Sequence, residues 1–286
     1  MGLHVFAVIP LLILISVLVL IAFVIWWLLI RTEGVYLGKR VVIWLYDVYA
    51  SRYDGIVQHD TVEEHLHIAA PLMKQLDSQT YPLVLDVATG TGRIPLALCH
   101  HARFEGHIVA LDLSRKMLTQ AVAKIQAEHF EDYVTFIWAD GSQIPFDDNS
   151  FDVVTCMEAL EFMPNPEEAL HELVRVLRPN GILLTTHRIN ERLMPHKLWS
   201  EAEMQQILAS ANLTNIVFEA WQYDYSKVWA IKSGKSDFIG ARPLDGMLRC
   251  PCCEGYMVNK NGAWVCENCN SIVPIQDNII NLHARI

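Results

Sequence analysis

The chain has 286 residues, with 32 acidic against 22 basic side chains and a formal net charge of -10. That balance gives no general attraction to nucleic acid or to anionic lipid headgroups, so a nonspecific nucleic-acid binder is disfavoured. With an apolar amino-terminal run and a short cysteine-rich tail set aside, the length leaves roughly one domain of ordinary size.

From Val5 to Ile30 no side chain is charged. This run exceeds the roughly 20 residues that a bilayer-crossing helix needs. Trp26 and Trp27 sit near one end, where amphipathic rings favour the interface. A cleavable signal peptide would need a basic leader, a shorter apolar core and a small-residue cleavage site, and these features are not evident. The expectation is a single-pass anchor over residues 1–30 in contact with the lipid bilayer. Arg31, Lys39 and Arg40 follow it. By the positive-inside rule the amino terminus lies outside and the large carboxyl-terminal part lies in the cytoplasm.

Residues 31–80 read as juxtamembrane helices, with Val41 to Tyr53 apolar on part of its circumference and Thr61 to Leu76 amphipathic. Residues 81–232 alternate apolar strand-like runs with helical patterns, which calls for a parallel sheet covered by helices. Ser200 can cap a further helix to about Ala211, before two β-rich runs. Residues 233–244 read as a linker, and 245–286 as a small ribbon.

The strongest chemical signal is Val84-Leu85-Asp86-Val87-Ala88-Thr89-Gly90-Thr91-Gly92, an apolar strand breaking into a glycine-containing turn. Gly90 and Gly92 let backbone approach a ligand. A dinucleotide fingerprint would have a third glycine where Pro95 stands. An acid on the strand before the glycines suits a ligand carrying an ammonium group rather than a pyrophosphate.

These residues resemble the class I S-adenosylmethionine-dependent methyltransferases, especially the ubiquinone/menaquinone biosynthesis (type 11) group, over about Asp47 to Lys232. The resemblance implies an α/β, Rossmann-like sheet that binds S-adenosylmethionine. It implies cofactor contacts from Asp86, Ala88, Gly90, Gly92, Leu113 and Gly141, with Asp112 on the ribose hydroxyls and Asp140 on the adenine. The stretch Tyr49 to Asp54 is similar to the family's cofactor lid, with Tyr53 as a further contact. Where the family often has histidine after strand four, this chain reads Leu160-Glu161-Phe162-Met163. Substrates approach the carboxyl ends of such strands, which makes Glu158, Glu161 and His187 the catalytic candidates. Asp152 and Pro179 read as architectural.

Cys250, Cys253, Cys266 and Cys269 form two pairs separated by twelve residues, a spacing that can deliver four thiolates to tetrahedral zinc, Zn2+, with Cys252 spare. The tail resembles the small zinc-ribbon activators of tRNA- and protein-modifying methyltransferases, which implies a possible protein partner. Its four basic and four acidic residues from Ala241 to Ile286 make no basic RNA-binding stripe. The expected function is methylation of a lipid, quinone-like or other amphiphilic small-molecule substrate. Its rivals are methylation of a protein or RNA recruited by the ribbon, and a non-catalytic cofactor-binding scaffold.

Overall fold

The computed structural model describes residues 2–57, 61–79, 81–189 and 198–283, so the expected segments extend at several points outside the described residues. Five strands, Leu83–Val87 (β1), His107–Asp112 (β2), Val134–Trp138 (β3), Phe151–Cys156 (β4) and Leu177–Arg188 (β5), pair in parallel in the order β3-β2-β1-β4-β5. β1 and β4 are buried along their whole length. That is why they read as unbroken apolar runs rather than as alternating ones. Leu213–Ala220 (β6) and Tyr225–Lys232 (β7) close one edge in antiparallel fashion. β5 begins five residues before the expected Ile182 because Leu177 already pairs with Phe151, and a register shift absorbs the intervening turn.

Before the sheet come the apolar helix Gly2–Trp26 (α1), prolonged to Arg31 by a π-helical turn, and then Lys39–Tyr49 (α2) and Tyr53–Val57 (α3). Thr61–Glu64 (α4) and Ala70–Leu76 (α5) are joined by a π turn, so the expected Thr61 to Leu76 helix carries a bulge. Arg93–Cys99 (α6) and Arg115–Ala127 (α7) pack with α5 on one sheet face through Leu72, Leu98 and Leu118. Pro166–Val176 (α8) and Glu201–Ser210 (α9) cover the other through Leu173 and Leu208. Ser114 caps α7, Asn165 caps α8, and Ser200 with Glu203 makes a capping box at α9.

Residues 233–244 are strapped to the sheet rather than swinging free. Asp152, fully buried and paired with Arg178 Nε at 2.6 Å, accepts from Leu83 N, Ile239 N and Gly240 N. The tail forms Met257–Lys260 (β8), Ala263–Cys266 (β9), Ile272–Gln276 (β10) and Ile279–Asn281 (β11). Asn261 and Gly262, both at positive φ, turn the first hairpin. β11 lies parallel to β3, with Ile279 opposite Phe136, so the tail continues the main sheet to eleven strands. Its buried Met257, Trp264 and Val273 belong to the core that fills the α8 face.

Ile9–Arg31 is long and apolar enough to cross a membrane, and none of it is buried inside the protein. That exposure excludes the core helix of a soluble domain as its role.

Candidate active site

At the carboxyl end of β1 the backbone turns through Ala88 at φ 56°, Gly90 at φ 55° and Gly92 at φ 81°. A non-glycine residue in the left-handed region is a strained choice that functional turns tolerate. The two glycines serve different ends. Gly90 lines the cavity above the turn, whereas a Cβ on Gly92 would lie 2.9 Å from Ala121 Cβ, so Gly92 lets the α6 start meet α7 and lines no described cavity.

Asp112, ending β2, accepts from Gly90 N at 2.8 Å on one oxygen and from Ser114 N at 2.7 Å on the other. Each oxygen keeps a further lone pair for a ligand. Burial raises its carboxyl to about 6, against the lowering effect of those backbone donors. Asp86 is raised to about 6 by burial, opposed by the Thr155 hydroxyl 2.6 Å away. Its Oδ2 and the Thr89 hydroxyl are buried and make no well-formed hydrogen bond among the described residues, although the hydroxyl is near enough to help lower the carboxyl.

Asp140, after β3, is held by Ser142 N and Oγ and by the Lys39 ammonium. Burial opposes its charge, but these donors outweigh burial and leave its carboxyl below the usual range. A Cβ on Gly141 would sit 2.6 Å from Val87 Cγ1, so only glycine lets this loop close on β1.

The candidates converge. Tyr53, Ala88, Gly90, Asp112, Leu113, Asp140 and Gly141 line one cavity of about 830 Å³. A smaller adjoining one, about 360 Å³, is lined by Asp86 and Thr89 and shares Tyr53, Ala88 and Gly90 with the first. This acceptor set fits S-adenosylmethionine: the free side of the Asp86 carboxylate could accept from an ammonium, and the two oxygens of Asp112 could accept from a ribose diol.

The lid over this site comes from α2, α3 and the turn between them. Asp47 accepts from Ser114 Oγ at 2.6 Å, Asp54 from Thr91 Oγ1 at 2.6 Å, and Lys39 reaches Asp140. Tyr53 borders both cavities, and burial raises its phenol so that the hydroxyl stays protonated at neutral pH. Sequence reasoning singled out Tyr53 but not these polar links. Asp47 and Asp54 did mark the family-like stretch, yet nothing local tells which loop they will meet.

The catalytic candidates separate. Glu158, at φ 52°, lines both cavities and accepts from Arg93 Nη1 and Nη2 at 2.9 Å. Glu161 is buried and lines neither cavity; Tyr225 donates to it, and burial raises its carboxyl. His187 points elsewhere: its Nε2 lies 2.8 Å from Trp199 O, its ring packs edge-on against Phe218, and it lines neither cavity.

In the tail, one ligand atom from each of Cys250, Cys253, Cys266 and Cys269 falls within 4.8 Å of the others. The Cys250–Cys269 and Cys253–Cys266 sulfur separations are 3.7 and 3.5 Å. Tetrahedral zinc with bonds of about 2.3 Å has sulfur–sulfur edges of about 3.8 Å, so the cluster fits that ion. The Ser271 hydroxyl lies 3.1 Å from Cys250 Sγ and 2.9 Å from Cys269 Sγ. Cys252 is exposed and outside the cluster.

The parallel order with its antiparallel closing pair, and the acids at the ends of β1 and β2, define the Rossmann-like fold of class I S-adenosylmethionine-dependent methyltransferases. Residues 85–185 match the family model described as a methyltransferase domain, so the chain carries such a domain. It is 32% identical over 140 residues to a demethylmenaquinone methyltransferase of Lactiplantibacillus plantarum, covering 49% of this chain and 59% of that protein. Over 135 residues it is 35% identical to a ubiquinone/menaquinone biosynthesis C-methyltransferase of Roseobacter denitrificans, covering 47% and 54%. The chain thus spans somewhat over half the length of these relatives. Among solved structures, a SAM-dependent methyltransferase from Aquifex aeolicus superposes with a TM-score of 0.52 at 23% identity, covering 65% of this chain and 97% of that one. A chain from the complex between the Haloferax volcanii Trm112 methyltransferase activator and a methyltransferase gives 0.54 at 21%, covering 67% and 97%. These two likenesses concern the fold alone.

Proposed function

We propose that this protein transfers the methyl group of S-adenosylmethionine to a quinone-like or similarly amphiphilic acceptor at a membrane surface. The observation that carries the reading is the gathering of Asp112 and Asp140 on one lidded cavity and of Asp86 on the smaller cavity that adjoins it through Tyr53, Ala88 and Gly90. The printed activities of the curated relatives support the acceptor class. S-adenosylmethionine supplies a sulfonium-activated methyl group for in-line displacement. The chain's own task is alignment and exclusion of water. In this reading Asp112 holds the ribose diol, Asp86 the ammonium and Asp140 the adenine edge, while Tyr53 and α2 cover them. Glu158 is the carboxylate nearest in kind to a proton acceptor, held in place by Arg93. Glu161 and His187 are not given a catalytic role.

The exposed apolar helix acts as the anchor, with the catalytic domain on the cytoplasmic side. The Cys250, Cys253, Cys266 and Cys269 cluster holds one structural zinc, which fixes the ribbon against the β3 edge. The test uses full-length chain in membranes with methyl-labelled S-adenosylmethionine. Label is expected in the lipid phase; label that partitions instead into protein or RNA, or none transferred at all, contradicts the proposal.

A further inference from the structure

A third cavity, about 1060 Å³, lies between the foot of α1 and the cofactor cavity. Its walls combine the apolar Leu29, Ile30 and Leu45 with the polar Glu33, Tyr46 and Arg188. Tyr46, Tyr53, Glu158 and Phe162 line this cavity and the cofactor cavity alike, so the two meet across those side chains.

The segment that follows α1 is shaped to bring Glu33 here. Glu33 at φ 49° and Gly34 at φ 74° are consecutive left-handed residues. A Cβ on Gly34 would lie 2.9 Å from Val41 Cγ1, so the chain can fold back on α2 only with glycine there. Trp27 stacks on Tyr36 at 5.6 Å and pins the reversal from the other side. The positive φ of Glu33 is a conformation that a surface glutamate would not keep without compensation. Its carboxylate accepts from Tyr46 OH at 2.7 Å, and burial raises it despite that bond and the Arg188 charge. Arg188 lies over the rings of Phe162 and Tyr225, and its Nε is buried without a hydrogen-bond partner among the described residues. A buried guanidinium nitrogen with no acceptor is costly unless a ligand supplies one.

We infer that this cavity is the acceptor site, entered at the foot of the membrane helix by an amphiphile with a hydroxylated aromatic head and an apolar tail. The inference rests on the proposed methyltransferase reading and adds to it that the anchor builds the site as well as tethering it. The head lies between Glu33 with Tyr46 and Arg188, where one hydroxyl can donate to the carboxylate and a second oxygen can accept from the guanidinium. The tail leaves past Leu29 and Ile30, which belong to the apolar helix itself. The head then faces Tyr53 and Glu158 at the border of the cofactor cavity. An acceptor held there reaches the site without leaving the lipid, which avoids exposing its tail to water.

The test uses the full chain in lipid nanodiscs, saturated with S-adenosylhomocysteine so that no turnover occurs, and para-decylphenol as probe. Binding is read by calorimetry after subtraction of lipid-only nanodiscs. Wild type is expected to bind the probe. Glu33→Gln, which removes the charged acceptor, is expected to weaken it about tenfold. Ile30→Trp, which fills the mouth, should weaken it as well, while both variants keep wild-type affinity for S-adenosylhomocysteine and so report a folded cofactor site. Absence of probe binding by wild type, or wild-type probe affinity in both variants, overturns the inference. If wild type binds the probe as expected yet passes no label to lipid-phase acceptors under turnover, the methyltransferase proposal fails while this site stands.

Discussion

The cofactor cavity and the cysteine cluster are both gatherings of groups that would repel one another if charged, yet they are held together differently. The acids of the cavity sit on strands whose pairing and buried neighbours fix them whether or not a ligand is present, as the backbone bonds to Asp112 illustrate. The four sulfurs sit on two turns within 20 residues, two of them exposed, and their mutual approach has little besides a metal to favour it. A ligand taken from the first region should leave the fold; an ion taken from the second should not.

The largest effect follows from that contrast. Metal binding by small structural sites is worth on the order of 10 kcal/mol in isolated zinc-finger peptides. Chelation or Cys253→Ser is therefore expected to release one zinc per chain and expose the β8–β10 amides to exchange, while S-adenosylmethionine binding persists. Cys252→Ser should keep the metal. Metal analysis with hydrogen exchange checks this, and equal metal loss in both variants would reject the ligand set.

A smaller effect is expected at the other region. Glu158 and Arg93 link the turn after β4 to α6, and the two raised acids are the groups expected to govern the ligand. With Asp86 and Asp112 each moved from 3.8 to about 6 by burial, the protonated forms persist to higher pH in the ligand-free fold than in the unfolded chain. Their contribution to stability is thus present at low pH and lost as pH rises through about 6. Cofactor binding needs the ionised forms, so its affinity should run the opposite way, falling as pH drops below about 6, with protons released on binding near that pH. Calorimetry in buffers of different ionisation enthalpy measures the release.

The smallest effect belongs to the lid. Asp47→Asn weakens the bond to Ser114 without moving any residue of the sheet. The change turns a charge-assisted bond into a neutral one, a loss of about 1 kcal/mol, so cofactor affinity should fall less than tenfold. An effect larger than that of Asp112→Ala would mean that the lid, not the sheet, carries the binding.

The same contrast explains what could be read from the sequence. The glycine turn, Asp112 and Asp140 announce themselves because strand, turn and acid are neighbours in the chain, and the cysteine pairs do so through their spacing. The resemblance implies a ligand contact at Gly92, whereas the packing of Ala121 against its missing Cβ is hidden in the sequence, which does not say which helix will pass. Glu33, Lys39 and Tyr46 were not legible as site residues. Lys39 meets Asp140 across 101 residues, and Glu33 reaches its cavity through a left-handed reversal whose only local sign is Gly34. The pairing of β11 with β3 was equally hidden, since Ile279 to Asn281 carries no mark of the edge it completes.

The claim on which the rest depends is that the cavity above β1 and β2 binds S-adenosylmethionine. Calorimetric titration of the full-length wild-type chain and of Asp112→Ala tests it directly. Saturable binding by wild type, weakened in the variant by about 1.5–3 kcal/mol for the lost bonds to a charged acceptor, is the predicted result. A folded wild-type chain that binds no S-adenosylmethionine, or a variant that binds it as tightly, would contradict the account.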